Sequence, residues 1–183
     1  MIVAITNCRS MKLDYTCSAE EMYSKSYVFR AQKDLFNEAY DRYLILSSKH
    51  GLILPTTLIE PYESIHLPKV SRVKIKGNWE KEKLDNWVNE VITKVNKLLE
   101  FASEVHFYVT NPYWSLVKKE LGKNPKVKHI TQQRNNPVGF RKYNEAVEMF
   151  KKGDSLNKCI VHVSTLDKGT PESNKWFYHL NEE

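Results

Sequence analysis

The chain has 183 residues, of which 41% are hydrophobic and 27% charged, a balance that supports one packed core and excludes a wholly disordered protein. No apolar run approaches the roughly 20 residues of a membrane-spanning helix; the longest are short, as from Cys159 to Val163. The net charge is +6, and its surplus is local: residues 67–152 hold 18 Lys and Arg against 9 Asp and Glu, whereas residues 1–66 hold 7 against 8. Such a field suits DNA or RNA, although solvated lysine-rich helices give the same count.

Ile2 to Thr6 is a β-branched apolar run that ends in the polar loop Asn7-Cys8-Arg9-Ser10. With no basic leader, it reads as a first strand rather than a signal peptide, and a cytoplasmic location is expected. Ser18 is placed to cap a helix that opens on Ala19-Glu20-Glu21, since acidic residues favour the positive helix end. A break near Ser24-Lys25-Ser26 precedes a second apolar face formed by Phe29, Leu35, Phe36, Ala39 and Tyr40; Tyr43 to Ser47 then has the compact pattern of a buried strand.

Residues 64–78, with Pro68 and Gly77 but no strong periodicity, read as a mobile basic insertion. From Trp79 to Ala102 the apolar positions recur at three and four, which predicts a long helix. Val105 to Val109 is a strand, and Thr110 or Asn111 caps the next helix, with Pro112 at its first position and Gly122 near its end. Val127 to Ile130 is a short strand, Arg141 to Lys152 a helix stopped by Gly153, and Cys159 to Val163 a late strand. Strands alternating with helices predict a three-layer α/β/α domain over residues 1–165, with a mainly parallel sheet of four or five strands, followed by a weakly specified tail at 166–183.

In such sheets ligands bind beyond the carboxyl ends of the strands. The residues there are Asn7, Cys8 and Arg9; Ser47, Ser48, Lys49, His50 and Gly51; Thr110, Asn111 and Tyr113; and Gln132, Gln133 and Arg134. Ser47 to Gly51 is the densest cluster. Its hydroxyls, ammonium and imidazole suit a phosphate or ligand edge, and Gly51 permits a turn with positive φ. The Ser-x-Lys spacing also fits a serine nucleophile, a weaker reading because that chemistry needs a base and oxyanion donors.

Strand one with Cys8 and its basic loop, the Tyr23/Ser26/Phe29 segment, and Leu46-Ser47-Ser48-Lys49-His50-Gly51-Leu52 with Pro55 and Glu60-Pro61-Tyr62 together carry a resemblance. They look like a family of small bacterial and phage domains of unknown function, marked by Cys-Ser-x-x-Lys and Ser-Ala-Lys-His-Gly-Leu motifs. Here Arg9-Ser10 follows the cysteine and Ser48 stands at the alanine position. More remotely the arrangement is similar to the YaaA-like peroxide-stress proteins and to the uracil-DNA-glycosylase-like fold. The crevice-forming α/β frame, the basic flank and that likeness together point to a nucleic-acid-directed enzyme acting on a nucleobase or N-glycosidic bond, and the likeness to a phage or defence relation.

A hydrolase of that kind needs a basic track, an aromatic platform and a group that positions water. The basic middle supplies the first; Tyr62, Tyr113 or Trp114 could stack; Glu60 or Glu63 could orient water; Asn7 or Asn111 could read a base edge. Each also has a plainer role, the aromatics in packing and the glutamates in solvent. Cys8 is read as a structural or ligand-contact thiol ahead of a covalent catalyst. His50 is the working histidine, because His106 and His162 fall inside apparent strands and His66, His129 and His179 lack partners in sequence.

Three cysteines, Cys8, Cys17 and Cys159, make neither an even disulfide set nor zinc spacing, so reduced thiols are expected, with no metal and no cofactor. The absence of a Gly-rich phosphate fingerprint excludes a standard dinucleotide enzyme or P-loop NTPase. A non-enzymatic nucleic-acid-binding or defence-associated module and a nucleotide- or nucleoside-binding enzyme or sensor stand beside the glycosylase-like reading.

Overall fold

The computed structural model describes residues 1–62, 81–130 and 137–165. The expected insertion at 64–78, the tail at 166–183, and the site candidates Glu63, Gln132, Gln133 and Arg134 lie outside the described residues.

At the centre of the main sheet is β1 (Ile2–Asn7). Its Val3, Ala4, Ile5 and Thr6 are fully buried, as in a strand covered on both faces. It pairs in parallel with β3 (Arg42–Ser47) on one side and β6 (Glu104–Tyr108) on the other. β7 (Val127–His129) pairs in parallel with β6, and β4 (Gly51–Ile53) returns antiparallel along β3. The order β4-β3-β1-β6-β7 therefore makes a mixed, mostly parallel sheet of an α/β fold. The β3–β4 turn needs Gly51, whose φ of 67° lies in the left-handed region. A two-stranded sheet joins β2 (Cys17–Ser18) to β5 (Leu58–Ile59).

Ser18 caps the short α1 (Ala19–Met22) by accepting from the Glu21 amide at 3.2 Å. Ser26 opens α2 (Tyr27–Ala39) in the same way, accepting from the Phe29 amide at 3.3 Å. The head of α1 is also clasped by the chain leaving β4, because the Ala19 amide donates to Thr57 O at 2.8 Å and the Glu20 amide to Pro55 O at 2.9 Å. In α3 (Lys81–Leu99) the buried residues Trp87, Val91, Val95 and Leu99 recur every four positions, the apolar stripe expected of a helix on a sheet. α4 (Asn111–Leu121) follows β6, and α5 (Pro137–Lys151) and α6 (Leu156–Ser164) end the described chain.

Alternate residues of the strands enter two different apolar clusters, as the two-residue period of a strand requires. Ala4, Tyr43, Ile45 and Tyr108 pack with residues of α2, α5 and α6; Val3, Ile5, Leu44, Leu46 and Phe107 pack with residues of α3 and α4.

One expected strand is a helix. Cys159 to Val163 lies within α6, where Ser155 caps by accepting from the Lys158 amide at 3.3 Å and Cys159 and Val163 are buried at a spacing of four. The run is continuous in apolar character, and for so short a run only the cap and the length distinguish helix from strand. His162 is accordingly a helix residue, hydrogen-bonded to Glu145 at 2.8 Å. Gly153, at φ 94°, separates α5 from α6.

From β1 the chain passes through α1 and α2 to β3, then returns through α3 to β6 on the opposite side of β1. The carboxyl ends of β1 and β6 therefore flank the point at which the strand order reverses, where open α/β sheets form a crevice.

Candidate crevice at the strand ends

Asn7 holds the two sides of this point together. Its Oδ1 accepts from the Thr110 amide at 3.1 Å, and its Nδ2 donates to Cys8 O at 2.8 Å. The side chain is buried, with both carboxamide atoms engaged by the backbone. Its position makes it a residue that fixes the crevice.

A cavity of about 260 Å³ opens beside it. Residues 7–11 after β1 form one wall, residues 26–28 at the head of α2 form another, and Thr110 at the head of α4 closes it. That volume lies below the range of about 300–1,000 Å³ common for drug-sized ligands and suits a smaller group. No carboxylate is among the lining residues.

Arg9 is 6% exposed although it carries the charge of this loop. It donates to Gln32 Oε1, which also accepts from Thr6 Oγ1 at 2.9 Å, while Gln32 Nε2 donates to Tyr143 OH at 2.9 Å. The network orients the guanidinium but does not neutralise it: among the described residues Arg9 has no carboxylate partner, and its Nε has no hydrogen-bond acceptor. Burial lowers its pKa from the ordinary value, yet a guanidinium keeps its proton in proteins. Burial pushes the Tyr143 phenol up to about 12, against the opposing effects of Gln32 and the Arg9 charge.

Cys8 joins the strand ends. Its amide donates to Leu46 O at 2.9 Å, and its Sγ lies 3.1 Å from Tyr113 OH. The ends of β1 and β3 and the head of α4 after β6 therefore meet at one residue. Beyond it, Ser47 Oγ accepts from the Lys49 and His50 amides, each at 3.2 Å, and lies 3.0 Å from Tyr62 OH. With both lone pairs used on the amides, the Ser47 hydroxyl donates to Tyr62, which is then free to donate to Tyr23 OH at 2.7 Å. Ser47 is fully buried, and its carbonyl accepts from Trp87 Nε1 at 3.0 Å. A sealed hydroxyl with these partners does not serve as a nucleophile, so the serine-nucleophile reading is set aside.

The Tyr62 ring carries two ammonium groups, Lys12 Nζ at 4.5 Å and Lys49 Nζ at 5.2 Å from its centre, and meets the His50 ring edge-on at 5.2 Å. Burial, followed by the charge of Lys49, lowers the His50 pKa, so this imidazole is neutral near pH 7. Its Nε2 is buried with no hydrogen-bond partner. Burial raises the phenols of Tyr23, Tyr62 and Tyr113 well above their ordinary value. The tyrosines are therefore protonated donors, and among the described residues Arg9, Lys12 and Lys49 bring positive charge here.

Asn7, Cys8, Arg9, Ser47, Lys49, His50, Tyr62 and Tyr113 thus occupy adjoining walls. Glu60 and Asn111 are exposed, and Glu60 carries no hydrogen bond or ion pair among the described residues. Trp114 is stacked on His129 at 4.7 Å, a packing role rather than an open platform for a base. The sequence reading missed Gln32 and Tyr143 as supports of Arg9; its available signal was Gln32, polar amid the buried Val28, Phe29, Ala31, Leu35 and Phe36.

The basic middle is less bare than its composition implied. Lys94, Lys123, Lys128 and Lys151 are paired with Glu90, Glu120, Glu104 and Glu38. Among the described residues no group of three His, Cys, Asp or Glu could hold a metal ion, and no helix is long and apolar enough to cross a membrane. All three cysteines are free.

No curated protein matches the chain. Residues 3–137 match the model of a family of unknown function, DUF6884, and with most of its length matched the chain belongs to that family.

Proposed function

We propose that this crevice receives a nucleotide unit and that the protein is a nucleic-acid-directed enzyme acting on a nucleobase or its N-glycosidic bond. The supporting observation is the meeting of three strand-end junctions at Cys8, in a site to which Arg9, Lys12 and Lys49 bring positive charge and whose tyrosines are proton donors. Lys12 and Lys49, both beside the Tyr62 ring, attract phosphate. Cys8 and Tyr113 offer contacts to a base edge, neutral His50 acts as the proton acceptor, and the exposed Glu60, two residues before Tyr62, orients water. Asn7 acts by holding β1 to the head of α4.

The same reading treats residues 1–165 as a single three-layer α/β/α domain, supported by the two apolar clusters either side of the sheet. It includes the remote kinship with YaaA-like and uracil-DNA-glycosylase-like proteins, a relation that rests on the Cys8 and Ser47 to Leu52 segments.

A second reading is an enzyme or sensor for a free nucleotide or nucleoside. The ion pairing of Lys94, Lys123 and Lys128 favours it, because paired lysines make a weaker phosphate track. Incubation with oligonucleotides bearing normal and modified bases, with mass detection of released base and abasic product, tests the leading proposal. Base release supports it. Salt-dependent strand binding without release selects a binding module, and tight mononucleotide binding without strand affinity selects the second reading.

A further inference from the structure

The cavity between residues 7–11 and the head of α2 has features that the base-directed proposal leaves unexplained. α2 is 13 residues long, with no acidic residue in its first turn. Ser26 Oγ takes the Phe29 amide, leaving the amides of Tyr27 and Val28 without an acceptor among the described residues. These unused donors and the helix dipole make the cavity's α2 end positive. α4 adds a second positive end: Thr110 makes no side-chain capping bond, and the first turn again lacks an acidic residue.

Against these two helix heads lies Arg9, more than nine-tenths buried, with Nε unpartnered and no carboxylate beside it among the described residues. A buried charge without a counter-ion is costly, and positive helix ends increase that cost. Neutral Gln32 offers Arg9 an oxygen but no compensating charge. The missing partner is an anion, and the acceptors that would satisfy the guanidinium and two backbone amides together are those of an oxyanion.

We propose that this cavity is a phosphate-binding site, with Arg9 and the Tyr27 and Val28 amides as donors and the heads of α2 and α4 as its electrostatic field. It extends the nucleotide reading by assigning the place of one phosphate, and rests on that reading only for what the phosphate is attached to. The attachment is either a free mononucleotide or a nucleic-acid backbone.

The experiment is calorimetric titration of the full chain with inorganic phosphate, a nucleoside, its 5′-monophosphate and a single-stranded oligonucleotide. Ser10, exposed on the cavity wall, provides a variant that spares the core. Ser10→Asp places a competing carboxylate beside Arg9 and should weaken inorganic phosphate binding by about tenfold or more, whereas Ser10→Asn should hold it within about twofold. Arg9→Gln should abolish binding, and the Ser10 pair decides the matter if that variant fails to fold. No saturable phosphate binding by the parent protein, or equal binding by Ser10→Asp, overturns the proposal. Phosphate binding that a nucleoside moiety does not improve leaves the anion site standing and removes the nucleotide reading. A monophosphate tighter than the oligonucleotide identifies the free ligand, and the reverse order identifies the strand.

Discussion

The Asn7 carboxamide oxygen accepts the Thr110 backbone amide across 3.1 Å, tying the end of the central strand to the head of α4. Removing that acceptor by Asn7→Ala leaves the Thr110 amide and the Cys8 carbonyl without their side-chain partner. The expected loss is about 1–3 kcal/mol of unfolding free energy, measured by urea denaturation. An unchanged midpoint would show that water or relaxation replaces both bonds.

Cys8 is partly exposed, whereas Cys17 and Cys159 are buried and burial raises both their thiol pKa values. The folded protein should therefore react with one equivalent of a thiol reagent, at Cys8, and with three after denaturation. Peptide mapping checks the assignment. A saturating anion in the adjoining cavity should slow this reaction, and modification of Cys17 ahead of Cys8 would contradict the described packing.

Histidine burial predicts acid sensitivity. Desolvation depresses the pKa of His50, His106 and His129 below the ordinary value of 6.5. The unfolded chain consequently binds protons at these sites before the folded one does. Their stabilising contribution is complete above pH 6.5 and declines as pH falls from there toward the depressed folded values. Stability measured against pH should show this decline, and His50→Gln should reduce its slope. A slope that steepened in this variant would mean that His50 is charged in the folded protein.

Gly51→Ala tests the β3–β4 turn. An L-residue at φ 67° costs about 1–2 kcal/mol, and a methyl group would also meet Glu90 Oε1 at 3.4 Å. Thermal melting should show the loss, with ligand capture weakened because Lys49 and His50 sit on this turn. Full stability would show that the turn relaxes to a negative φ.

Glu60→Gln separates the chemistry from the fold. Glu60 is exposed, so stability should change by no more than about 0.5 kcal/mol. If Glu60 orients water, base release should fall more than substrate binding. Equal losses in both would make it a binding residue instead.

The frame was legible in the sequence because its signals are local. A β-branched run ending in Asn7, serine caps at Ser18 and Ser26, and the four-residue spacing of Trp87, Val91, Val95 and Leu99 each act over a few residues. Polar residues at strand ends likewise pointed to Cys8, Ser47, Lys49 and His50. Arg9 is different. Its burial depends on Gln32 in α2 and, through it, Tyr143 in α5, contacts that exist only once the chain has folded. Orientation was equally hidden: Asn7 turns its carboxamide to the backbone, whereas Glu60 and Asn111, of equally suggestive type, face solvent. For Cys159 to Val163, the deciding fact was the Ser155 cap just before the apolar run.

The arm from β3 to β5 is anchored at both ends, by strand pairing to β1 and by the bonds from Ala19 and Glu20 to Thr57 and Pro55. The wall bearing Ser47, Lys49 and His50 is consequently preorganised, with little conformational entropy left to lose on capture. On the proposed function, encounter of a ligand with this wall should be set by diffusion and long-range attraction.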